Sequence, residues 1–293
     1  MKVKINYFDL GLHDAQELFE IYPYLNNSYH NWNAYGFEAC DLFHDFCQER
    51  FKLEPRIEII HGAISNTEDD VKLHYAENAV GHSIFESKNK ELKNLFNEKR
   101  IYMPMMFDYY EKESKKPHDL KKWVSLTKKW AKSQGLRLRP DPEGPDFQDL
   151  NEQNFEQWRS HRSISLITYE DGYHDRPTGE ICKGIVFSKW LKKNVPDFEK
   201  SFNILRVNIE GAEAHLFKDL IENDLVKHFD IFCGTGHDVE KIPEISAEEH
   251  YKMLEGSNIK MYRFSDWKPE LNDRIFDIIE EKLKKYENKN VLP

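Results

Sequence analysis

Three short stretches concentrate residues able to do chemistry: Asp9-Leu10-Gly11, Phe37-Glu38-Ala39 and Asn208-Ile209-Glu210-Gly211. Each closes a run of apolar residues with polar or small ones, the pattern of a strand entering a turn. In an open parallel sheet, ligands lie beyond the carboxyl ends of the strands where the strand order reverses. The three stretches are therefore expected to share one crevice. Gly11, without a side chain, is expected to let the backbone pass close to a ligand. Glu38 is placed to accept hydrogen bonds from a ribose diol, as an acid does in dinucleotide folds. The first turn lacks the G-x-G-x-x-G run that cradles a pyrophosphate. A nucleoside ligand without phosphates fits these residues better than a dinucleotide, and ordinary polar turns are the alternative.

The elements that must position these residues follow from the hydrophobic pattern. Val3 to Phe8 reads as a strand, followed by a helix carrying Leu18, Phe19, Ile21 and Tyr22 and expected to stop at Pro23. Ala34 to Phe37 is a second strand, Asp41 to Phe51 a helix and Ile57 to His61 a third strand. Strand and helix alternating in this way predict a parallel crossover sheet. Val71 to Tyr75 alternates like an edge hairpin. The parallel pattern resumes with Ile204 to Ile209, a helix with Leu216, Phe217 and Leu220, and strands at Phe229 to Phe232 and Ile259 to Tyr262. Ser246-Ala247-Glu248-Glu249 is a capping box, and an amphipathic helix spans Ile275 to Tyr286. The fold class is thus α/β: one domain over 1–293, with a mostly parallel sheet flanked by helices. A largely helical insertion is expected at about 96–176.

The chain has 293 residues, 39% of them hydrophobic and 32% charged, which describes a folded globular protein. Its formal charge of −10 disfavours generic nucleic-acid binding. No run approaches the roughly 20 apolar residues needed to span a bilayer, and no cleavable leader is expected before the first strand. Cys40, Cys47, Cys182 and Cys233 have neither zinc nor disulfide spacing, so a cytoplasmic setting is expected. Within the insertion, Lys121, Lys122, Lys128 and Lys129 belong to a basic run. That run is either a lobe for an anionic acceptor or a solvated helix face.

Taken together, the strand ends resemble the FkbM-type methyltransferase family, a branch of the S-adenosylmethionine-dependent class I (Rossmann-like) fold. Asp9-Leu10-Gly11-Leu12-His13-Asp14-Ala15 is similar to the family's D-x-G-A-N-x-G motif, and Tyr35-Gly36-Phe37-Glu38-Ala39 to its second-strand acid. His61-Gly62-Ala63-Ile64-Ser65 and Gly81-His82-Ser83 resemble its third-strand and hairpin region. Arg206-Val207-Asn208-Ile209-Glu210-Gly211-Ala212-Glu213 resembles its K-x-D-x-E-G-x-E signature. Ala15 replaces a glycine of the first motif, and Asn208 replaces an acid of the last.

The resemblance implies S-adenosylmethionine as cofactor. Asp9, Gly11, Leu12, His13, Glu38, Ala39, Ala63, Ile64 and Ser83 are the implied binding positions. It also implies methyl transfer to the hydroxyl of a small-molecule or glycan acceptor, of carbohydrate or related type. Asn208, Glu210, Glu213 and His237 are the implied catalytic positions. Asn208 can orient a ligand but cannot serve as a base. Glu213 reads equally well as a first-turn acid favoured by the helix dipole, and His237 as a polar loop residue. His82 has a standing similar to that of His237. No metal is expected, since the other histidines lack ligand spacing, with a divalent site from His13 and Asp14 or from His237 and Asp238 as the alternative. Two other readings stay open: a cofactor-binding but inactive interaction module, and a nicotinamide-dependent oxidoreductase.

Overall fold

The computed structural model describes residues 3–13, 15–74, 82–88, 179–234, 238–264 and 271–290, with the strand segments 100–101, 136–138 and 167–169. The first unit runs β1 (Ile5–Leu10), α1 (Gln16–Ser28), β2 (Trp32–Glu38), α2 (Asp41–Phe51) and β3 (Ile57–His61). Two short strands follow, β4 (Ala63–Ile64) and β5 (Asp70–His74). Beyond the insertion segments β6 (Arg100–Ile101), β7 (Leu136–Leu138) and β8 (Ile167–Tyr169), the chain returns through β9 (Gly179–Ile185) into α3 (Phe187–Asn194). The second unit is β10 (Phe202–Val207), α4 (Glu213–Glu222), β11 (Ile231–Gly234), α5 (Ala247–Gly256), β12 (Met261–Arg263) and α6 (Ile275–Asn290).

The main sheet has six strands in the order β12-β11-β10-β1-β2-β3, and every pairing in it is parallel. The order reverses between β1 and β10, which pair from Ile5↔Phe202 to Leu10↔Val207. This is the doubly wound arrangement, with its ligand crevice expected above that pair. A smaller sheet of order β4-β9-β5 flanks it, with β5 antiparallel to β9.

Side chains on β1 and β10 alternate between two cores, as a period of two demands. Ile5, Tyr7, Phe202 and Ile204 face a cluster with Leu18, Ile21 and Leu25 of α1, Phe43 and Phe46 of α2, and Ile279 and Leu283 of α6. Phe8, Leu10, Leu205 and Val207 face Phe187 and Leu191 of α3, Leu216, Phe217 and Leu220 of α4, and Leu254 of α5. Both faces of the sheet are covered, so β1 and β10 are buried at every position. A strand buried on both sides reads as a continuous apolar run, which hides its register in the sequence.

Two sequence expectations need correction. Pro23 does not end α1, which continues to Ser28 with Pro23 inside it. Leu18, Ile21 and Leu25 are all fully buried on one side of α1, and that packing offsets the lost backbone donor. The strand expected at 204–209 ends at Val207, which leaves Asn208 to Ala212 as the turn over the crevice.

In the insertion, the described residues form a small sheet of order β6-β8-β7, antiparallel throughout; the sequence pattern did not suggest it. Its expected helices and the basic run of lysines lie outside the described residues. Among the described residues no helix is long and apolar enough to cross a membrane.

Candidate functional site

The carboxyl ends of β1, β2 and β10 are tied together by their own backbones. Gly11 and Leu12 both donate to the Phe37 carbonyl at 3.0 Å, and the Asn208 amide donates to the Leu10 carbonyl at 2.9 Å. Gly11 has φ +84, and a Cβ built there would lie 1.9 Å from the Asn208 carbonyl oxygen. Its missing side chain therefore lets β1 and β10 close on each other, and Gly11 also lines the crevice described next.

Above this junction opens a crevice of about 850 Å³, part of it open to solvent. Of the residues singled out in the sequence, Gly11, Leu12, His13, Glu38, Ala39, Ala63, Ile64, His82, Asn208 and Glu210 line it. Phe43, Ile84 and Ile209 add apolar wall, while Glu17 and Arg206 reach it from below.

Glu38 sits at the base of one wall. Its Oε2 accepts from the His13 amide at 2.6 Å and its Oε1 from the Cys40 amide at 2.8 Å. Burial pushes its pKa up, against the pull of these amides and of His13. The Ala39 amide acts on the same carboxylate, which with about four acceptor sites keeps room for a ligand's hydroxyl. The His13 ring rests 4.0 Å from that of Phe43, and the His13 carbonyl takes a bond from Cys47 Sγ at 3.2 Å. His13 itself has φ 52 and Ala15 φ 61, a left-handed pair that turns the chain sharply into α1.

Asp9 does not reach the crevice. It lies on β1 directly beside Arg206 of β10, and both are fully buried. Arg206 Nη1 donates to Asp9 Oδ1 at 2.9 Å and to the Gly11 carbonyl at 2.8 Å, and Nη2 donates to Glu17 Oε1 at 2.6 Å. Tyr7 completes the set, donating to Asp9 Oδ2 at 3.2 Å. Burial pushes the Asp9 carboxyl above its ordinary range, while the guanidinium beside it pulls it down. Arg206 thus joins both central strands, the first turn and α1, and sequence reading gave it no role. Only the register that sets Asp9 opposite Arg206 could have revealed it.

Glu213 and Ser83 also lie behind the crevice wall. Glu213 is fully buried, and its carboxylate caps the turn, accepting from Ile209 at 3.1 Å and from Gly211 at 2.7 Å. Burial, then the charge of Asp238, pushes its pKa up to about 7. Ser83 Oγ donates to the Glu210 carbonyl at 2.7 Å. Glu210 itself has φ 57, an uncommon conformation for a residue with a side chain. Its carboxylate pairs with Lys88, a second residue that sequence reading missed. His237 lies outside the described residues. Among those described, no cluster of three or more His, Cys, Asp or Glu could hold a metal ion.

Among the described residues Glu17, Glu38 and Glu210 line the crevice; Glu17 is paired with the guanidinium of Arg206, which also lines it and serves Asp9, and Glu210 is paired with Lys88. Glu17 stands in the first turn of α1, where a doubly wound fold would seat a phosphate on the helix N-terminus. There its carboxylate is already paired with Arg206. No protein-family model, curated protein or solved structure matches this chain.

Proposed function

We propose that the chain is an S-adenosylmethionine-dependent O-methyltransferase of class I, related to the FkbM type, acting on a hydroxyl of a carbohydrate or related metabolite. The observation that carries this is the crevice itself. It sits at the strand-order reversal, has an acid at the end of β2, and bears carboxylates where a dinucleotide enzyme needs a phosphate cradle. Glu38 would hold the ribose hydroxyls. Leu12, Phe43, Ala39, Ala63 and Ile64 would enclose the apolar and aromatic parts, and the turn at Gly11 to His13 would face the amino-acid portion. Bound there, S-adenosylmethionine would supply an electrophilic methyl group on a sulfonium.

The protein's own part is alignment and proton handling. The Asn208 side chain would orient the acceptor hydroxyl, and Glu210, the lining carboxylate nearest to it in the chain, would take the hydroxyl proton. Glu213 is committed to the Ile209 and Gly211 amides, so its role is to hold the turn. Walls of Ile84, Ile209 and Phe43 would limit water.

A second reading, a nicotinamide-dependent oxidoreductase, draws support from the six-strand order, which matches that of dinucleotide folds. Glu17 at the start of α1 and the missing glycine fingerprint speak against it. Calorimetry with S-adenosylhomocysteine and with NAD separates the two. Methyl transfer to glucose, mannose, galactose and rhamnose, free and nucleotide-linked, then tests the acceptor class. Tight S-adenosylhomocysteine binding without transfer to any of them would favour an inactive binding module.

A further inference from the structure

Lys88 is buried without a part in the cofactor-binding wall described above. Its side chain is 2% exposed, and a long amine is rarely held so deep unless it is paired. Its ammonium donates to Glu210 Oε2 and lies 3.9 Å from Asp238 Oδ1. The groups facing it come from three directions: Glu210 on the turn after β10, Glu213 at the start of α4, and Asp238 and Lys241 on the short helix Asp238–Lys241. Asp238 is shared, since Lys241 also pairs with it.

The segment carrying Lys88 grips the same turn at a second point. Ser83 Oγ donates to the Glu210 carbonyl at 2.7 Å and accepts from the Phe85 amide at 3.1 Å. Both the backbone and the carboxylate of Glu210 are therefore held by residues 83–88. Glu210 needs such holding, because a non-glycine residue at φ 57 persists only when its surroundings over-determine it. A Cβ at the next residue, Gly211, would come 2.7 Å from Ile242, so the turn packs closely against that side chain.

We propose that Lys88 is the positioning residue of the crevice wall, its ammonium fixing the strained Glu210 with the carboxylate presented to the crevice. This rests on reading Glu210 as the group that faces the acceptor, and the test below is readable without any acceptor. Burial pulls the Lys88 pKa down to about 8, with Asp238 and Glu213 opposing the shift.

The test is side-chain nitrogen NMR on isotope-labelled full-length protein, with the Lys88 signal assigned by its loss in Lys88→Arg. The expected result is a protected ammonium titrating with a midpoint of about 8. In Glu210→Gln that midpoint falls by about one unit, tenfold in the ionisation constant. In parallel, hydrogen exchange at the Ile209 and Gly211 amides speeds up about tenfold or more in Lys88→Met and returns to the wild-type rate in Lys88→Arg. A midpoint unmoved by Glu210→Gln, or unchanged exchange in Lys88→Met, overturns the proposal. If Lys88→Met does not fold, the Glu210→Gln titration decides alone. Calorimetry of the wild type with S-adenosylhomocysteine judges the functional reading separately, since absence of binding there leaves the Lys88 result intact.

Discussion

Replacing Arg206 with methionine keeps much of the apolar stem and deletes the guanidinium at the centre of the fold. Three bonds vanish together: 2.9 Å to Asp9, 2.8 Å to the Gly11 carbonyl and 2.6 Å to Glu17. The side chains of Asp9 and Glu17 are 1% and 5% exposed, so neither water nor salt can replace the lost partner. Removing one partner of such a buried pair costs about 3–5 kcal/mol. At about 2–4 °C per kcal/mol for a chain near this size, Tm should fall by about 6–20 °C at neutral pH.

The pH dependence has a definite sign. The folded-state pKa of Asp9 is raised by burial, and Arg206 works against that rise. A raised carboxyl contributes stability that is present below its unfolded pKa and is lost as pH rises through the folded pKa. Without the guanidinium the Asp9 pKa rises further, so the variant suffers most at neutral pH and recovers relative to wild type on acidification. Thermal denaturation at pH 7.5 and pH 5 reads this directly. A variant as stable as wild type at pH 7.5, or a Tm gap that does not narrow in acid, would refute the central role given to Arg206.

Other expectations follow from the same geometry. Gly11→Ala forces a Cβ to 1.9 Å from the Asn208 oxygen at φ +84; strain and overpacking together should cost about 2–5 kcal/mol, read as a lower urea midpoint. Glu213→Gln leaves either the Ile209 or the Gly211 amide without its acceptor and should cost about 1–3 kcal/mol. Because the Glu213 pKa is raised to about 7 from 4.5, the wild type should lose stability as pH climbs through that window, and the Gln variant should lose that slope. In a methyl-transfer assay with a turned-over glycan, Glu210→Gln should lower kcat by about 10²–10⁴ with S-adenosylhomocysteine affinity unchanged. Asn208→Asp should be tolerated there, and equal turnover in both variants and wild type would remove this turn from the chemistry.

The alternation of strands and helices was legible because each element carries its own periodicity, and the strand ends at Gly11 and Glu38 were readable from turn chemistry. Side-chain direction was less legible. Asp9, Ser83 and Glu213 look like ligand-facing groups in sequence, yet each is consumed holding the strands or turns that shape the crevice. Nothing local separates a polar residue aimed at a ligand from one aimed at a neighbouring strand, because β1 and β10 are buried on both faces. The Asp9–Arg206 pair spans 197 positions in the chain, and Lys88 meets Glu210 across 122. Such contacts become visible only when the strand order and register are known. Pro23 shows the opposite case, where a strong local signal yields to packing on the sheet.

The most direct test is calorimetric titration of S-adenosylhomocysteine into wild-type protein and into Glu38→Ala, with a thermal melt confirming that the variant is folded. The account predicts saturable binding to the wild type and no binding of NAD. It predicts weakening in the variant by about 1.5–3 kcal/mol, roughly 10–150-fold, as expected for hydrogen bonds to a charged group. No heat with S-adenosylhomocysteine, saturable binding of NAD, or equal affinity in a folded Glu38→Ala would each contradict it.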